Sequence, residues 1–489
     1  MIETAGLWML LAAAVLLVVT GLPAWIVLIG VTLAFATGGI AMSVLNVELL
    51  TAMPARILGL LENDLLQALP LYVLMGALLN HLPLAQTLFR VGSRALRFTG
   101  AGAPLAGLGL GVLLAPMNGS VGASVAMLSR TVLPRLSDHG VPVERGAALV
   151  CIASTLGVVV PPSLVLILLG DAMLRAHTEA LNITHASVRI INTQDVFVGT
   201  LVPAAMLLAL CALVTWWGAR RAPQAVIPAT PRVTPRDVVT AVATLTFIVA
   251  LLTAVTLGYL YAVEAAATGG VALFAGGVAT RTLTRDVLRA VLRDTMAITG
   301  ALFALLVAAT MFTLVLRGYG TDRWVAAALA ALPGGGATAL AVVLGALALC
   351  ALVLDAFEMI FVVIPVVMPP LLTVVPAVTW VAVLTLLILQ ASFLLPPFGY
   401  AVLMVRNAIV LPLRMRALTR ALLPYLAAQL VVLALVFALP SLVWQRNPMT
   451  LAPPPASEGE SASDAPATLE EVLERQEELQ REATPAGRP

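Results

Sequence analysis

Apolar residues in this chain come in long unbroken runs separated by short polar, arginine-bearing segments. Leu7–Val19, Ala301–Val315 and Ala337–Leu354 are examples. A membrane crossing needs about 20 predominantly apolar residues for a hydrocarbon core of roughly 30 Å. Runs of this kind predict spans near residues 5–20, 23–42, 65–82, 146–170, 196–217, 237–258, 261–279, 295–316, 379–405 and 421–444. They lack the apolar–polar alternation of a β-barrel strand, which excludes that architecture. Two further stretches, 102–134 and 337–370, are too long for one simple span and are interrupted near the middle by polar or small residues. They read as re-entrant helical hairpins, because backbone leaves the helix at membrane depth only where protein or water satisfies its polar groups.

Arginine placement orients these elements. Five clusters stand out: Arg90, Arg94 and Arg97; Arg130, Arg135 and Arg145; Arg220, Arg221, Arg232 and Arg236; Arg281, Arg285, Arg289 and Arg293; Arg406, Arg414, Arg416 and Arg420. All five share one side only if 102–134 enters and leaves from that side, which the positive-inside rule makes cytoplasmic. The hairpin at 337–370 then opens to the opposite side, and both termini fall outside. The pattern predicts an all-α polytopic membrane protein of two inverted repeats. Residues 1–217 form the first, with hairpin 102–134 and a broken helix at 146–170. Residues 237–444 form the second, with hairpin 337–370 and a broken helix at 379–405. A cytoplasmic linker, 218–236, joins them, and 445–489 is a disordered acidic tail. One short pattern recurs between the halves: Gly157-Val-Val-Val-Pro161-Pro162-Ser163 and Phe393-Leu-Leu-Pro396-Pro397-Phe398-Gly399. Proline removes a backbone donor and breaks a helix, and paired breaks at corresponding points of two halves mark a transporter's binding site.

Composition agrees. Of 489 residues, 61% are hydrophobic and 11% charged, against about 25% charged in a soluble domain. A water-facing surface cannot be built from so few charges. All 27 basic residues are arginine; 24 of them face 16 acids before the tail, a charge of +8. That excess suits loops against anionic lipid and is too scattered for nucleic acid. Cys151, Cys211 and Cys350 lie in apolar runs and read as small core residues. Leu7–Val19 lacks a preceding positive charge, so it reads as a retained first span and not a signal peptide.

Three constellations can carry chemistry. The first is the tip of hairpin one, with Asn118, Gly119, Ser120 and Ser124. Free carbonyls and hydroxyls at a helix break suit a bare alkali cation, and half-helix N-termini offer donors to a carboxylate. The alternative is that small residues simply allow close packing. The second is Asp355 and Glu358 in hairpin two, three residues apart on one helical face. They can coordinate sodium, or Glu358 can take up a proton; a structural pairing with an arginine or a backbone donor is the alternative. The third is the pair of breaks: Ser154, Thr155, Gly157, Pro161, Pro162 and Ser163 in one, Gln390, Ser392, Pro396, Pro397 and Gly399 in the other. Asp355, Ser120 and Gly157 are the candidate sodium ligands. Asp171 reads as a cap, Glu264 as a scaffold ion pair, and 173–195 as a polar external loop. The four histidines fall at loop positions without ligand spacing. No Walker motif, nucleophile elbow or HExxH occurs, so neither ATP-driven transport nor an enzyme is indicated.

At these residues the chain resembles the large, DctM-like membrane subunit of tripartite ATP-independent periplasmic (TRAP) transporters. The resemblance covers about 5–444. Its carriers are Gly119-Ser-Val-Gly-Ala-Ser-Val125, Leu156-Gly-Val-Val-Val-Pro-Pro-Ser-Leu164, Gln194-Asp-Val-Phe-Val-Gly199, Phe312-Thr-Leu-Val-Leu-Arg-Gly-Tyr-Gly320, Leu354-Asp-Ala-Phe-Glu358 and Gln390-Ala-Ser-Phe-Leu-Leu-Pro-Pro-Phe-Gly399. The last two look like the branch labelled mannitol/chloroaromatic type. The resemblance implies a multi-pass protein of the bacterial inner membrane that couples uptake to sodium and needs no other cofactor. It implies a separate small four-helix membrane subunit, a periplasmic solute receptor, a small organic anion as cargo, and an elevator mechanism. Two positions depart from it: hairpin one reads Asn118-Gly119-Ser120 where relatives are richer in Ser and Thr, and Leu395 stands where threonine is common. A receptor-independent anion or sodium/proton exchanger of similar topology stays open as the rival. A membrane-embedded scaffold or enzyme subunit would leave the paired breaks unexplained.

Overall fold

The computed structural model describes residues 2–62, 64–118, 120–185, 189–220, 233–395, 399–409 and 413–443. Among these residues all regular structure is helical. The first half runs α1 (Ile2–Thr20), α2 (Ala24–Ala41), α3 (Glu48–Thr51), α4 (Met53–Leu61), α5 (Asp64–His81), α6 (Leu84–Ala95), α7 (Gly102–Leu114), α8 (Val121–Thr131), α9 (Leu133–Asp138), α10 (Val143–Val159), α11 (Leu164–Thr184) and α12 (Thr193–Arg220). The second runs α13 (Pro235–Leu257), α14 (Ala262–Ala279), α15 (Arg285–Gly318), α16 (Thr321–Ala330), α17 (Gly335–Cys350), α18 (Ala356–Glu358), a π turn (Met359–Val363), α19 (Ile364–Val374), α20 (Val378–Ser392), α21 (Tyr400–Ala408) and α22 (Met415–Ala438). The residue-447-to-489 unit and the second Pro-Pro pair, Pro396 and Pro397, lie outside the described residues, as do Gly119 and most of the 218–236 linker.

Eight of the described helical stretches are long and apolar enough to cross a membrane. The arms α7 (13 residues) and α17 (16 residues) are not. At 1.5 Å per residue they reach about 20 and 24 Å, short of the roughly 30 Å core. Each packs against the arm that follows it, α7 against α8 and α17 against α19. Side-by-side packing of a short apolar helix with its successor is what a helical hairpin requires; the second arm of the 337–370 segment, Ala356–Val374, is itself one of the eight stretches long enough to cross.

Which helices touch repeats between the halves. Helix α5 packs on α14, and α2 on α15; α11 packs on α19, and α21 on α8; α10 packs on α22, and α12 on α20; α6 packs on α13, and α16 on α1. Matching α1, α2, α5, α6 and α7 to α13 through α17, α8 to α19, and α10, α11, α12 to α20, α21, α22 turns each contact into its partner. The broken helices form the core: every residue of α10 from Gly146 to Val159 is buried. The outer helices keep an apolar face bare, as α13 does with Val238, Val239, Val242, Leu245 and Val249. That is the surface lipid tails cover.

Local capping explains several boundaries. Ser120, Ser163 and Thr284 each accept a hydrogen bond from the backbone N–H three residues on, starting α8, α11 and α15; Thr234 and Asp237 form a reciprocal capping box at α13.

Three sequence readings change here. The 173–195 segment is not a loop to its start: α11 continues to Thr184, burying Met173, Ala176, His177 and Ala180 along one face. Spacings of three and four residues hold the helix although the residues between are polar. His177 therefore sits inside a helix, not in a loop. The roles of two acids are exchanged. Asp171 accepts from Arg175 Nε at 3.0 Å, one turn on, whereas Glu264 caps α14 by accepting from the Tyr261 N–H at 2.9 Å.

Candidate functional site

The tip of hairpin one is a chain reversal held by its own side chains. Helix α7 tightens into a 3-10 turn at Ala115–Met117, and Ser120 is extended at φ −150° and ψ 149° before α8 begins. Asn118 Nδ2 donates to Ser124 Oγ at 3.0 Å, and Ser124 Oγ donates to Ser120 O at 3.1 Å. Both side chains are buried, yet Asn118 Oδ1 has no partner among the described residues. Glycines let this tip touch its neighbours. A Cβ on Gly157 of α10 would stand 2.7 Å from Pro116 N, and one on Gly76 of α5 would stand 2.6 Å from Asn118 Cα. The reversal is clamped between α5 and the first broken helix.

The first break follows directly. Helix α10 stops at Val159, the Pro161–Pro162 peptide is cis, and Ser163 starts α11. Ser163 Oγ donates to Val158 O at 2.7 Å and accepts from Leu166 N at 3.1 Å, which ties the two half-helices together. Ser154 and Thr155 spend their hydroxyl protons on the carbonyls of Cys151 and Ile152, at 2.8 and 3.0 Å. A hydroxyl keeps acceptor capacity after donating. Thr155 Oγ1 uses it for Gln390 Nε2 of α20 at 3.3 Å, joining the two broken helices. Gln390 is fully buried, and its Oε1 has no partner among the described residues. Ser392 Oγ donates back to Leu389 O at 2.7 Å. Beyond Leu395 the second break passes out of the described residues and resumes at Gly399, whose N–H donates to Leu395 O at 2.8 Å.

Ser120, Ser154, Gly157 and Ser163, with Ala115 and Pro116, line one cavity of about 20 Å³. That is room for a single water-sized occupant. The N-termini of α8 and α11 both start at its wall, so partial positive charge faces it from two helices.

Hairpin two is finished differently. Asp355 and Glu358 form a capping box on α18, with the Asp355 N–H donating to Glu358 Oε2 at 3.0 Å. Asp355 Oδ1 is buried without a partner among the described residues. A π turn follows at once, a feature frequent at functional sites. Of the three candidate sodium ligands, the structure brings Ser120 and Gly157 to one cavity and leaves Asp355 in the other hairpin. Among the described residues no three His, Cys, Asp or Glu side chains gather as a metal cluster.

Two residues were not singled out from sequence. Arg317 of α15 donates from Nη2 to Glu179 Oε2 and to Pro365 O, both at 2.8 Å. In a regular helix Pro365 O would accept from residue 369, but Pro369 has no N–H; Arg317 supplies the missing donor. The signal was the Pro365-to-Pro369 spacing. Tyr400, the first residue of α21, lies against hairpin one: a Cβ on Gly122 of α8 would stand 2.8 Å from its hydroxyl. Its signal was position: a hydroxyl-bearing aromatic directly after the second break.

Comparison with known proteins places this geometry. The sequence matches the family described as Tripartite ATP-independent periplasmic transporter, DctM component, over residues 10–442. It is 27% identical over 164 residues to the C4-dicarboxylate TRAP transporter large permease protein DctM of Rhodobacter capsulatus, covering 33% of this chain and 36% of that one. It is 28% identical over 176 residues to the protein of the same name from Pseudomonas aeruginosa, covering 36% and 37%. The 2,3-diketo-L-gulonate TRAP transporter large permease protein YiaN of Escherichia coli is 24% identical over 156 residues, 32% and 33% of the two chains. The aligned stretches thus span about a third of each relative's length. In fold, the chain is similar to the YdaH transporter of Alcanivorax borkumensis, with a TM-score of 0.55 at 16% identity over 81% of this chain and 89% of that one. The family match runs through both hairpins and both breaks, and with it the chain belongs to the DctM component of TRAP transporters, the multi-pass large permease of the inner membrane.

Proposed function

We propose that this permease imports a small organic anion, a carboxylate, coupled to sodium, and receives it from a periplasmic receptor while paired with a separate small four-helix membrane subunit. The observation that carries the reading is the cavity where the tip of hairpin one meets the first break. Ser120, Ser154 and Ser163 bring hydroxyl oxygens to it beside Gly157, and two helix N-termini start at its wall. Its single water-sized space suits a bare sodium ion held by such oxygens, and the helix N-termini beside it suit a carboxylate outside that space. The cargoes named for relatives, a C4-dicarboxylate and 2,3-diketo-L-gulonate, are organic anions. Asp355 adds the negative charge that a cation offsets before the site passes lipid. Both hairpins and both broken helices then move together as an elevator past the outer helices, in two repeats of opposite orientation.

The rival, receptor-independent exchange, leans on Glu358 as a proton carrier. That carboxylate already serves the Asp355 N–H, which favours a structural role. Proteoliposomes holding the chain with its small subunit and the receptor test both readings. Uptake should need the sodium gradient and the receptor, and Asp355→Ala should abolish it. Unchanged uptake in that variant removes Asp355 from the site, and full uptake without the receptor establishes the rival.

A further inference from the structure

A groove of about 740 Å³ lies at the start of α10 and α22, lined by Arg145, Arg414, Arg416 and Arg420 with one acid, Glu144. Four guanidinium groups against one carboxylate leave it strongly positive. Arg416 and Arg420 are one turn apart on the same face of α22. Among the described residues the side chains of Arg414, Arg416 and Arg420 have no ion pair or hydrogen bond, and the Arg145 side chain donates only to a backbone carbonyl, Gly218 O at 3.2 Å. The segments 221–232 and 410–412, outside the described residues, contain no Asp or Glu.

This placement is unfavourable for the bare protein. Helix α22 begins at Met415 with no capping side chain and no acid in its first turn, and with Arg414 and Arg416 there instead. Positive side chains at a helix N-terminus oppose the macrodipole, and the free N–H groups of that turn want acceptors. An anion in the groove reverses both costs. Below the groove, α22 bares Leu423, Leu430, Val431 and Leu435, and α12 bares Leu213 and carries Trp216 and Trp217 in its last two turns. Bare apolar faces capped by tryptophan mark the depth of lipid headgroups. The arginines share the side that the positive-inside rule makes cytoplasmic, where the leaflet carries anionic lipid.

We propose that this groove binds the phosphate headgroup of an anionic phospholipid of the cytoplasmic leaflet, with its acyl chains along the bare faces of α22 and α12. The test uses the purified full chain titrated with phosphatidylglycerol, phosphatidylcholine or soluble glycerol phosphate, with retained ligand read by native mass spectrometry. Phosphatidylglycerol should bind in preference to phosphatidylcholine. Affinity should fall about fivefold for each arginine removed in the Arg414→Gln, Arg416→Gln, Arg420→Gln series. The matching lysine variants should keep most of the binding, which separates lost charge from lost fold. Equal retention by the triple glutamine variant, equal binding of phosphatidylcholine, or glycerol phosphate binding as tightly as the lipid would each overturn the proposal.

Discussion

Hairpin one ends in neutral groups tied to one another, Asn118 to Ser124 and Ser124 to Ser120, whereas hairpin two ends in two carboxylates, one with a buried oxygen that has no partner among the described residues. Their arms differ in the same sense. Gly111 on α7 is in backbone contact range of α10, where a Cβ would stand 2.6 Å from Ala153 Cβ, while a Cβ on Gly345 of α17 would meet nothing within 4 Å. One hairpin tip is a wall offering dipoles; the other carries charge. A neutral wall can sit in a membrane empty or filled. A charged tip costs free energy in lipid until a cation joins it, which under the proposed function would link ion binding to movement.

The largest effect expected from disturbing this contrast is at the clamp. Gly157→Ala drives a methyl into the backbone of Ala115 and Pro116, and neither can move without shifting the hairpin tip. We expect a folding cost of about 3 kcal/mol and loss of nearly all uptake, read by thermal unfolding and proteoliposome flux on the same preparation. Next come the arms. Gly111→Ala should destabilise by about 1–3 kcal/mol, while Gly345→Ala should be neutral or slightly stabilising, since alanine is the better helix former. Equal effects in denaturant unfolding would mean that the arms are equally packed. The smallest change belongs to Glu358→Gln. Its amide oxygen can still accept from the Asp355 N–H, so uptake should fall only a few-fold, far less than in Asp355→Ala. A loss as complete as that of Asp355→Ala would promote Glu358 from cap to carrier.

Sequence carried much of this because the membrane simplifies folding: backbone must bond to itself, so apolar runs become helices and their interruptions become sites. The apolar helices and the first break follow from that rule. What it missed depends on partners distant along the chain. Arg317 serves a carbonyl 48 residues away; the Pro365-to-Pro369 spacing marks that carbonyl as short of a donor, but nothing local names Arg317 as the residue that supplies it. The sequence pattern ends this span at 170 because Arg175, His177, Thr178 and Glu179 look like loop, whereas α11 runs on to Thr184 with apolar residues at every third or fourth position. Tyr400 acquires its place only once α21 packs on α8. The capping role of Glu358 was legible, since Asp followed three residues later by Glu is a helix-start signature; the carboxylates drew attention to charge instead.

Everything functional here requires two hairpins that dip into the membrane from opposite faces. Impermeant thiol labelling in oriented vesicles measures that directly, in a chain with Cys151, Cys211 and Cys350 replaced. Single cysteines at Phe98 and Asp138 flank hairpin one, and at Ala331 and Val374 flank hairpin two; all four positions are exposed. Phe98→Cys and Asp138→Cys should label from the cytoplasmic face alone, and Ala331→Cys and Val374→Cys from the external face alone. If the two ends of either hairpin label from different faces, that segment crosses the membrane and the paired-hairpin mechanism fails.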